Sequence, residues 1–398
     1  MDFIMKILLG SKKISRQKLR LKLKTALSVS LAAAIFFAAL IIIIYFFGRG
    51  LLLEKGIEAQ NEMARTLASS VESSIEKQVE VLKLNANNQF LIDALKENNL
   101  KYRPKGEKEI KRYLMDMDKR WIEVSDEHPF LKEYLDNKLS LDLRELKGED
   151  RKLISIIVAD RFGGLVGATT RPSGFYFFDK YWWLDSYAKG HGKIFIGASE
   201  YDEQNELWYL PFAVPVEDQA RSVIGIYQAN VNINTFFKPL VNFKIGQTGN
   251  AVLVDDKAYL LYHRRALPFT NKFCEYEEFQ KTLQNSEKWG ILKSAYFNRG
   301  KKLVAYSEVS NEAFSEKKAD WYVFVQRDLN EIFVPLNKLV FLMFLIGMAL
   351  TVILALSVFI LSAQESSDSI LQMIKDSPGA KPEEKNSIER RIKNLFKR

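Results

Sequence analysis

Two uninterrupted apolar runs lie near opposite ends of the 398-residue chain. Residues 26–48 and 339–362 contain no Asp, Glu, Lys or Arg, and each run has about the 20 residues that a helix needs to cross a bilayer. We therefore predict a transmembrane helix in each run. The alternative for the first run is a cleaved signal peptide, but the run is much longer than the apolar core of about 7 to 15 residues in such a peptide.

Charge determines the predicted orientation of these two helices. Residues 1–25 hold eight Lys and Arg against one Asp, so the positive-inside rule places them in the cytoplasm. Two crossings return residues 363–398 to the cytoplasm and leave residues 49–338 outside. We expect the bacterial cytoplasmic (inner) membrane, with residues 49–338 periplasmic or extracellular. The excess of 58 basic over 49 acidic residues lies in the two terminal segments, which favours contact with anionic lipid over nucleic acid.

The first segment outside the membrane, residues 49–104, has a helical pattern. Apolar residues recur every three or four positions at Met63, Leu67, Val71, Ile75, Val79 and Leu82, which is one face of an α-helix. The pattern predicts one long helix that continues from the first span. A helix pair is the alternative, with a turn within residues 85–88, where three of the four residues are Asn. Residues 105–150 are charged and mostly helical in pattern, as expected of an insertion or cap.

After residue 150 the apolar period changes from 3.6 to 2, which is typical of β-strands. The first unit has predicted strands at 153–160, 165–170, 194–199, 207–216 and 222–232, and a short helix at 180–189. The second unit has predicted strands at 251–255, 259–263, 303–308 and 321–326, and a helix at 276–284. Short connections between neighbours indicate antiparallel pairing. The predicted fold class is α+β, with two antiparallel sheets that each carry helices on one side.

Several motifs, in this order along the chain, resemble the double Cache domain family. In the second unit the resemblance lies in residues 244–255, KIGQTGNAVLVD, and in Leu261-Tyr262-His263. In the first unit it lies in Lys180-Tyr181-Trp182-Trp183, Tyr201-Asp202, Val214-Pro215-Val216 and residues 222–226, SVIGI. The resemblance covers about residues 50–335. It implies two PAS-like modules, a membrane-distal one at 105–238 with a helical insertion and a membrane-proximal one at 239–336.

The resemblance also implies a ligand site, because members of this family bind small molecules, commonly in the distal module. In amino-acid-binding relatives an Arg and a Trp on an aromatic helix hold the ligand carboxylate, and an Asp on a later strand holds the amine. These positions correspond here to Lys180, Trp182 with its neighbour Trp183, and Asn230, while a preceding Tyr is Phe175. The full set of implied ligand-binding residues is Phe175, Lys180, Trp182, Trp183, Tyr201, Asp202, Tyr209 and Asn230.

Substitutions at these positions limit what the resemblance implies about the ligand. Asn230 cannot offer an ammonium group a full negative charge, and Lys180 cannot form the bidentate fork of an arginine. Amino-acid binding is therefore not implied, and a carboxylate, an amide or a neutral ligand stays open. Core packing is the alternative role for Trp182 and Trp183, since neighbours on a helix point about 100° apart and cannot both face one wall. For Asp202 the alternative is a structural turn.

Catalytic chemistry has little support in the sequence. The three histidines, His128, His191 and His263, lack a second ligand at metal-binding spacing. Cys274 is the single cysteine, so no intrachain disulfide forms and no nucleophile motif surrounds it. We predict that the protein is not an enzyme and uses no cofactor or metal.

The function predicted from these features is a two-span membrane sensor that binds a small molecule outside the cell and acts through a partner in trans. Residues 363–398 number only 36, too few for a signalling domain. One alternative is a non-signalling envelope anchor or assembly protein with a Cache-like domain, and another is a receptor that has lost its output domain. The expected partners are a small-molecule ligand, the membrane, a cytoplasmic or membrane signalling protein and a second copy of the chain, but no nucleic acid.

Overall fold

The computed structural model describes residues 2–295, 298–310 and 320–375. Two compact units form the chain: residues 56–331 make one, and the two ends, up to residue 55 and from residue 332 onward, make the other. The last part of the predicted tail, 376–398, lies outside the described residues. The helices are α1 (Asp2–Ala86), α2 (Gln89–Leu100), α3 (Glu107–Glu123), α4 (Pro129–Leu135), α5 (Lys138–Glu149), α6 (Tyr181–Tyr187), α7 (Lys238–Val241), α8 (Tyr276–Leu283) and α9 (Leu329–Lys375).

Helix α1 contains the first apolar run, and helix α9 contains the second. Two helical stretches in the described chain are long and apolar enough to cross a membrane, Leu27–Ala86 and Leu329–Val358. The sequence prediction of a helix in each run is confirmed at the level of secondary structure. Within each stretch, the apolar window of 18 residues is almost entirely unburied in the described structure, 0% in the first and 6% in the second, as expected of helices that face lipid.

The helical segment that follows the first run is interrupted once. Helix α1 ends at Ala86 and α2 begins at Gln89, and the Asn88 side chain caps α2 by accepting a hydrogen bond from the Phe90 N–H at 2.9 Å. The structure thus shows the break that the three asparagines indicated as the alternative, because Asn at an N-cap satisfies a free backbone N–H. The predicted apolar face is confirmed, since Leu67, Val71, Ile75, Val79 and Leu82 are all buried.

The distal module is built on one antiparallel sheet in the order β2-β1-β6-β5-β3, and β4 pairs with β5. Its strands are β1 (Leu153–Asp160), β2 (Leu165–Ala168), β3 (Phe195–Ile196), β4 (Glu200–Asp202), β5 (Leu207–Glu217) and β6 (Val223–Asn232). Strands β1, β5 and β6 fall within one residue of their predicted bounds. Pairing of β1 with β6 brings together residues about 70 positions apart.

The proximal module repeats this topology in the order β8-β7-β11-β10-β9. Its strands are β7 (Asn250–Asp255), β8 (Leu260–Tyr262), β9 (Trp289–Ala295), β10 (Asn298–Val309) and β11 (Trp321–Asp328). Strand β9, which lies at the edge of the sheet, was not predicted from the sequence. Strand order and direction match between the modules, so β1 corresponds to β7, β6 to β11 and β5 to β10.

The same kind of turn, built around an aspartate, follows strands β1, β5 and β7. At the end of β1 the Asp160 Oδ1 accepts hydrogen bonds from the N–H groups two and four residues later, at 2.8 and 2.9 Å. Asp255 at the end of β7 does the same at 3.0 and 2.7 Å, and so does Asp218 between β5 and β6, at 2.9 Å for both bonds. Three residues after each aspartate the backbone φ is positive, +88° after Asp160, +67° after Asp255 and +59° after Asp218. Aspartate favours such turns because its short side chain binds the backbone just after it.

Helices cover both faces of the distal sheet, which departs from the expectation of helices on one side. One core cluster packs α1 against one face of both sheets, through residues such as Ile75, Val158, Tyr227, Leu253 and Val323. A second cluster packs α3, α4 and α6 against the opposite face of the distal sheet. Helix α1 therefore contributes to the core of both modules.

Candidate functional site

The face of the distal sheet that points away from α1 is mainly apolar but carries several polar residues. Directly opposite residues in antiparallel strands share a face, and Gln228 of β6 lies opposite Ile157 of β1 and Ala213 of β5. Asn230 lies opposite Ser155 in the same way. These five residues, Ser155, Ile157, Ala213, Gln228 and Asn230, are called the distal floor below. Ala213 belongs to the cluster that packs α3, α4 and α6 on the sheet, so the distal floor faces those helices.

Hydrogen bonds link the polar members of the distal floor in a row. The Gln228 Nε2 donates to the Asn230 Oδ1, and the Asn230 Nδ2 donates to the Ser155 Oγ at 2.9 Å. Gln228 is only 3% exposed, and its Oε1 has no hydrogen-bond partner among the described residues. A buried polar atom without a partner costs about 1 to 3 kcal/mol. A ligand that donates a hydrogen bond to this atom would recover that cost.

The proximal sheet has aromatic residues at the positions that correspond to Gln228 and Ala213 of the distal floor. Asp160 pairs with Gly225 and Asp255 with Trp321, so Gln228, three residues after Gly225, corresponds to Phe324. Phe324 lies opposite Tyr306, and their rings stack with centroids 5.3 Å apart. Rings of Phe273 and Phe279 lie 5.1 and 5.7 Å from Phe324. The distal floor thus has an amide and an alanine where the proximal sheet has two packed aromatic rings.

Helix α6 carries three of the predicted ligand residues in different environments. Lys180 is its exposed N-cap residue and makes no side-chain cap. Trp183 is 3% exposed and donates from Nε1 to the Asp160 carbonyl at 3.2 Å, which is the packing role given as the alternative. Trp182 is partly buried, and its ring lies 5.1 Å from that of Phe177. Ser186 on the same helix is fully buried, and its Oγ has no partner within the described chain.

Phe175 lies in an aromatic group with residues of α3 and α4. Its ring centroid lies 5.7 Å from that of Trp121, 6.4 Å from Phe130 and 4.8 Å from Tyr134, and it is 2% exposed. The Phe175 N–H donates to Asp118 Oδ1 at 2.6 Å. The position that the resemblance assigns to a ligand-contacting tyrosine is therefore occupied here by a residue packed among aromatic rings.

The remaining predicted residues lie on the β4–β5 hairpin and on β6. Asp202 accepts from the Gln204 and Asn205 N–H groups, both at 2.9 Å, within its own turn. Tyr201 is 48% exposed, and its ring lies 5.3 Å from that of Trp208. Tyr209 donates from its hydroxyl to Glu200 Oε2 at 2.7 Å. Asn230 alone of the predicted set lies on the distal floor.

Asp160, at the end of β1 in the same module, is a buried carboxylate. Besides the two turn amides, its Oδ2 accepts from Asn98 Nδ2 and from the Tyr102 hydroxyl, each at 2.9 Å. Burial raises the pKa of Asp160 to about 6, while hydrogen bonds from the Gly164 N–H, the Tyr102 hydroxyl and the Phe162 N–H oppose the rise. The pKa of Tyr102 is raised by its own burial and by the nearby Asp160 charge. Asp160 therefore ties the β1–β2 turn to the end of α2.

The structure adds Gln228, Ser155 and Ser186 to the predicted residues. The sequence signal that could have identified Gln228 is its position two residues before Asn230 in a mainly apolar strand, because side chains at i and i+2 share a face. Ser155 and Ser186 had no such signal. Ser155 meets Asn230 through strand register, and Ser186 is buried by the packing of α6.

Comparison with known proteins identifies the fold. The family model of the Cache domain matches residues 52–336. The solved ligand-binding domain of the Pseudomonas aeruginosa amino acid chemoreceptor PctB, in complex with L-Arg, is 14% identical, with a TM-score of 0.43 over 71% of this chain and 98% of that chain. The ligand-binding domain of the Pseudomonas fluorescens chemoreceptor CtaA with L-isoleucine is also 14% identical, with a TM-score of 0.43 over 72% and 98%.

A third solved domain, that of the Campylobacter jejuni chemoreceptor Tlp3 with L-valine, is 13% identical, with a TM-score of 0.40 over 72% of this chain and 98% of that chain. No curated protein matches the chain. The family match spans both sheets and the helix between the first apolar run and the distal module, in agreement with the resemblance noted from the sequence. This chain belongs to the Cache domain family and carries a double Cache domain over residues 52–336.

Proposed function

We propose that this protein is a membrane-anchored sensor that binds a small polar molecule on the distal floor, outside the cytoplasm, and does not act as an enzyme. The observation that carries the proposal is the Gln228 amide, which is buried beside Asn230 and Ser155 and keeps one oxygen without a partner among the described residues. The equivalent proximal position, Phe324, is packed among aromatic rings. The distal module is therefore the better candidate for ligand binding.

Membrane anchoring is supported by the two apolar helices and by the charge distribution. The basic residues before the first run favour a cytoplasmic N-terminus, and the double Cache domain between the runs then lies in the periplasm or outside the cell. The proposed location is the bacterial inner membrane. The signalling partner in trans stays a prediction, and proximity labelling from the cytoplasmic ends in intact cells would test it.

The ligand chemistry follows from the polar groups of the distal floor. Ser155, Gln228 and Asn230 offer amides and a hydroxyl, and none of them is charged. A free ammonium group buried there would lack a paired negative charge, and such burial is costly. A carboxylate buried there would likewise lack a paired positive charge, so the proposed ligand is a neutral polar molecule that donates a hydrogen bond to Gln228 Oε1.

A thermal-shift screen of the full chain in lipid nanodiscs tests the proposal. A ligand at 100 times its dissociation constant adds about 2.7 kcal/mol to stability, so any member of a library of neutral amides and polyols that binds at this level should raise the melting temperature measurably. Gln228→Leu should abolish the shift while changing the unliganded melting temperature little, because removal of the unpartnered Oε1 offsets the loss of the hydrogen bond from Nε2 to Asn230.

The matched control is Gln326→Leu in the proximal sheet. Gln326 is also 3% exposed and also has an Oε1 without a partner in the described structure, but its sheet position corresponds to Asn230 in a module packed with aromatic rings. The ligand shift should survive this change. Binding that is lost in Gln326→Leu and kept in Gln228→Leu would move the site to the proximal module and refute the proposal.

A further inference from the structure

The turn that opens the proximal module closes on a carboxylate in the first turn of α9. Glu331 Oε1 accepts from the Gln247 N–H at 2.8 Å and from Arg327 Nη2 at 2.8 Å. Glu331 Oε2 accepts from the Thr248 N–H at 2.9 Å and from the Thr248 Oγ1. Four donors on one carboxylate favour its ionised form. The turn 246–249 and Glu331 together are called the carboxylate clamp below.

Both glycines of this Gly-x-x-Gly motif are required by the geometry. Gly246 has φ +60°, and a Cβ on it would lie 2.0 Å from Glu331 Oε1. A Cβ on Gly249 would lie 2.4 Å from the Ile245 carbonyl oxygen, with which Gly249 forms a backbone bridge. A residue with a side chain would therefore hold the turn away from the carboxylate. The motif that marked the resemblance in the sequence has a physical role in this contact.

Further contacts attach the same helix turn to the proximal sheet. The Asp328 N–H donates to Thr248 Oγ1 at 3.1 Å, and the Asp328 carboxylate pairs with Lys302 of β10. Strand β11 runs directly into α9 at Leu329. The start of α9 is thus held by the sheet through its backbone and through two acidic side chains.

The first turn of α9 also has fewer hydrogen bonds of its own than a regular helix. Pro335 lies inside α9, and proline has no N–H to donate to the carbonyl four residues earlier, which is that of Glu331. The carboxylate clamp therefore acts on a part of the helix that lacks one of its own hydrogen bonds.

We propose that the carboxylate clamp couples the proximal sheet to α9, so that a displacement of the sheet moves the start of the helix that contains the second apolar run. The inference rests on the proposed sensor function, in which a signal must pass from the distal module toward the membrane. Glu331, Gly246 and Thr248 are positioning residues in this device and are not part of the ligand site.

Amide hydrogen exchange on the full chain in nanodiscs tests the clamp without a ligand. Glu331→Gln should speed exchange at the Gln247 and Thr248 amides by at least about tenfold, which corresponds to about 1.4 kcal/mol, and should also speed it in residues 329–334. The central amides of β10 and β11 should keep their protection. The matched control, Glu277→Gln, changes an exposed acid in the first turn of α8 and should leave all these amides unchanged.

A second variant separates loss of contact from backbone strain. Gly246→Ala should reproduce the exchange pattern of Glu331→Gln, because its Cβ would displace the carboxylate. Gly300→Ala is the control, since Gly300 also has a positive φ, +140°, but a Cβ on it would meet no heavy atom within 4 Å. Equal exchange rates in the parent and Glu331→Gln would overturn the proposal. A loss of protection throughout the sheet would also overturn it, because Glu331 would then stabilise the whole sheet and not specifically its contact with α9.

Coupling itself is measured by the distance distribution between spin labels at Lys257→Cys on the proximal module and Asn330→Cys in the first turn of α9, both exposed positions. Glu331→Gln should broaden this distribution, and Glu277→Gln should not. An unchanged width in Glu331→Gln would refute the coupling role. Because no ligand is used, failure here is distinct from failure of the proposed function, which is decided by the ligand shift of Gln228→Leu.

Discussion

The buried carboxylate of Asp160 should make the stability of the double Cache domain depend on pH. Its pKa is raised by burial from 3.8 to about 6, so the folded state binds a proton more tightly than the unfolded state. The stabilising contribution of this group is fully present below pH 3.8 and is lost as the pH rises through about 6. Lowering the pH from 7.5 to 4.5 should therefore raise the free energy of unfolding by about 2 kcal/mol through this residue alone.

The test compares the parent with Asp160→Asn, which cannot titrate. Urea unfolding of a fragment of residues 49–336, which includes the compact unit 56–331, gives the free energy of unfolding at each pH. The parent should gain about 2 kcal/mol relative to the variant between pH 7.5 and 4.5. Tyr102→Phe removes a hydrogen bond that lowers the Asp160 pKa, so it should move the transition to higher pH.

Asp218→Asn serves as the control, because it makes the same change in the same kind of turn at a half-buried position. The pH dependence of its free energy of unfolding is subtracted from that of Asp160→Asn. A parent–variant difference that stays constant from pH 7.5 to 4.5 would refute the reasoning. A slope of opposite sign would show that the four hydrogen bonds to Asp160 outweigh the cost of burying its charge.

Three further predictions concern topology, packing and ligand class. A reporter active only in the cytoplasm should work when fused at Asp2 or Arg398 and fail at Asn205, and activity at Asn205 would contradict the two-span topology. Trp183→Ala should lower the free energy of unfolding by about 3 to 5 kcal/mol, and Trp182→Ala by clearly less, because only Trp183 is almost fully buried; equal losses in urea unfolding would be inconsistent with this packing. Standard α-amino acids should give no calorimetric binding signal, and tight binding of one of them would show that the inferred ligand class is wrong.

Most strands of the double Cache domain were predictable because their signals are local. Strands β1, β5 and β6 are mainly apolar runs that are largely buried on both faces, β1 ends at the turn-forming Asp160, and the turn-forming Asp218 follows the end of β5. Strand β9 was missed because it lies at the sheet edge, where Ile291 is 40% exposed and Leu292 is buried. An edge strand carries a weaker apolar pattern, since only part of it packs against the core.

The candidate site was less predictable than the fold. Asn230 came from the resemblance, and the structure gives it a floor position with Gln228 and Ser155. Asp202 and Tyr201 belong instead to a hairpin turn and an aromatic contact with Trp208. Sequence spacing cannot distinguish these cases, because a turn aspartate and a ligand aspartate have the same local neighbours.

The two apolar helices, the change from helical to strand period after residue 150, and the family could all be inferred without coordinates, because each depends on residues close together in the chain or on a motif order. The folded structure was needed to establish that Gln228 faces Ala213 while its counterpart Phe324 faces Tyr306. It was also needed to show that the Gly-x-x-Gly turn at 246–249 closes on Glu331 more than 80 residues later. These relations arise from strand register and from the packing of distant segments, in which a shift of one residue would turn each side chain to the other face of the sheet.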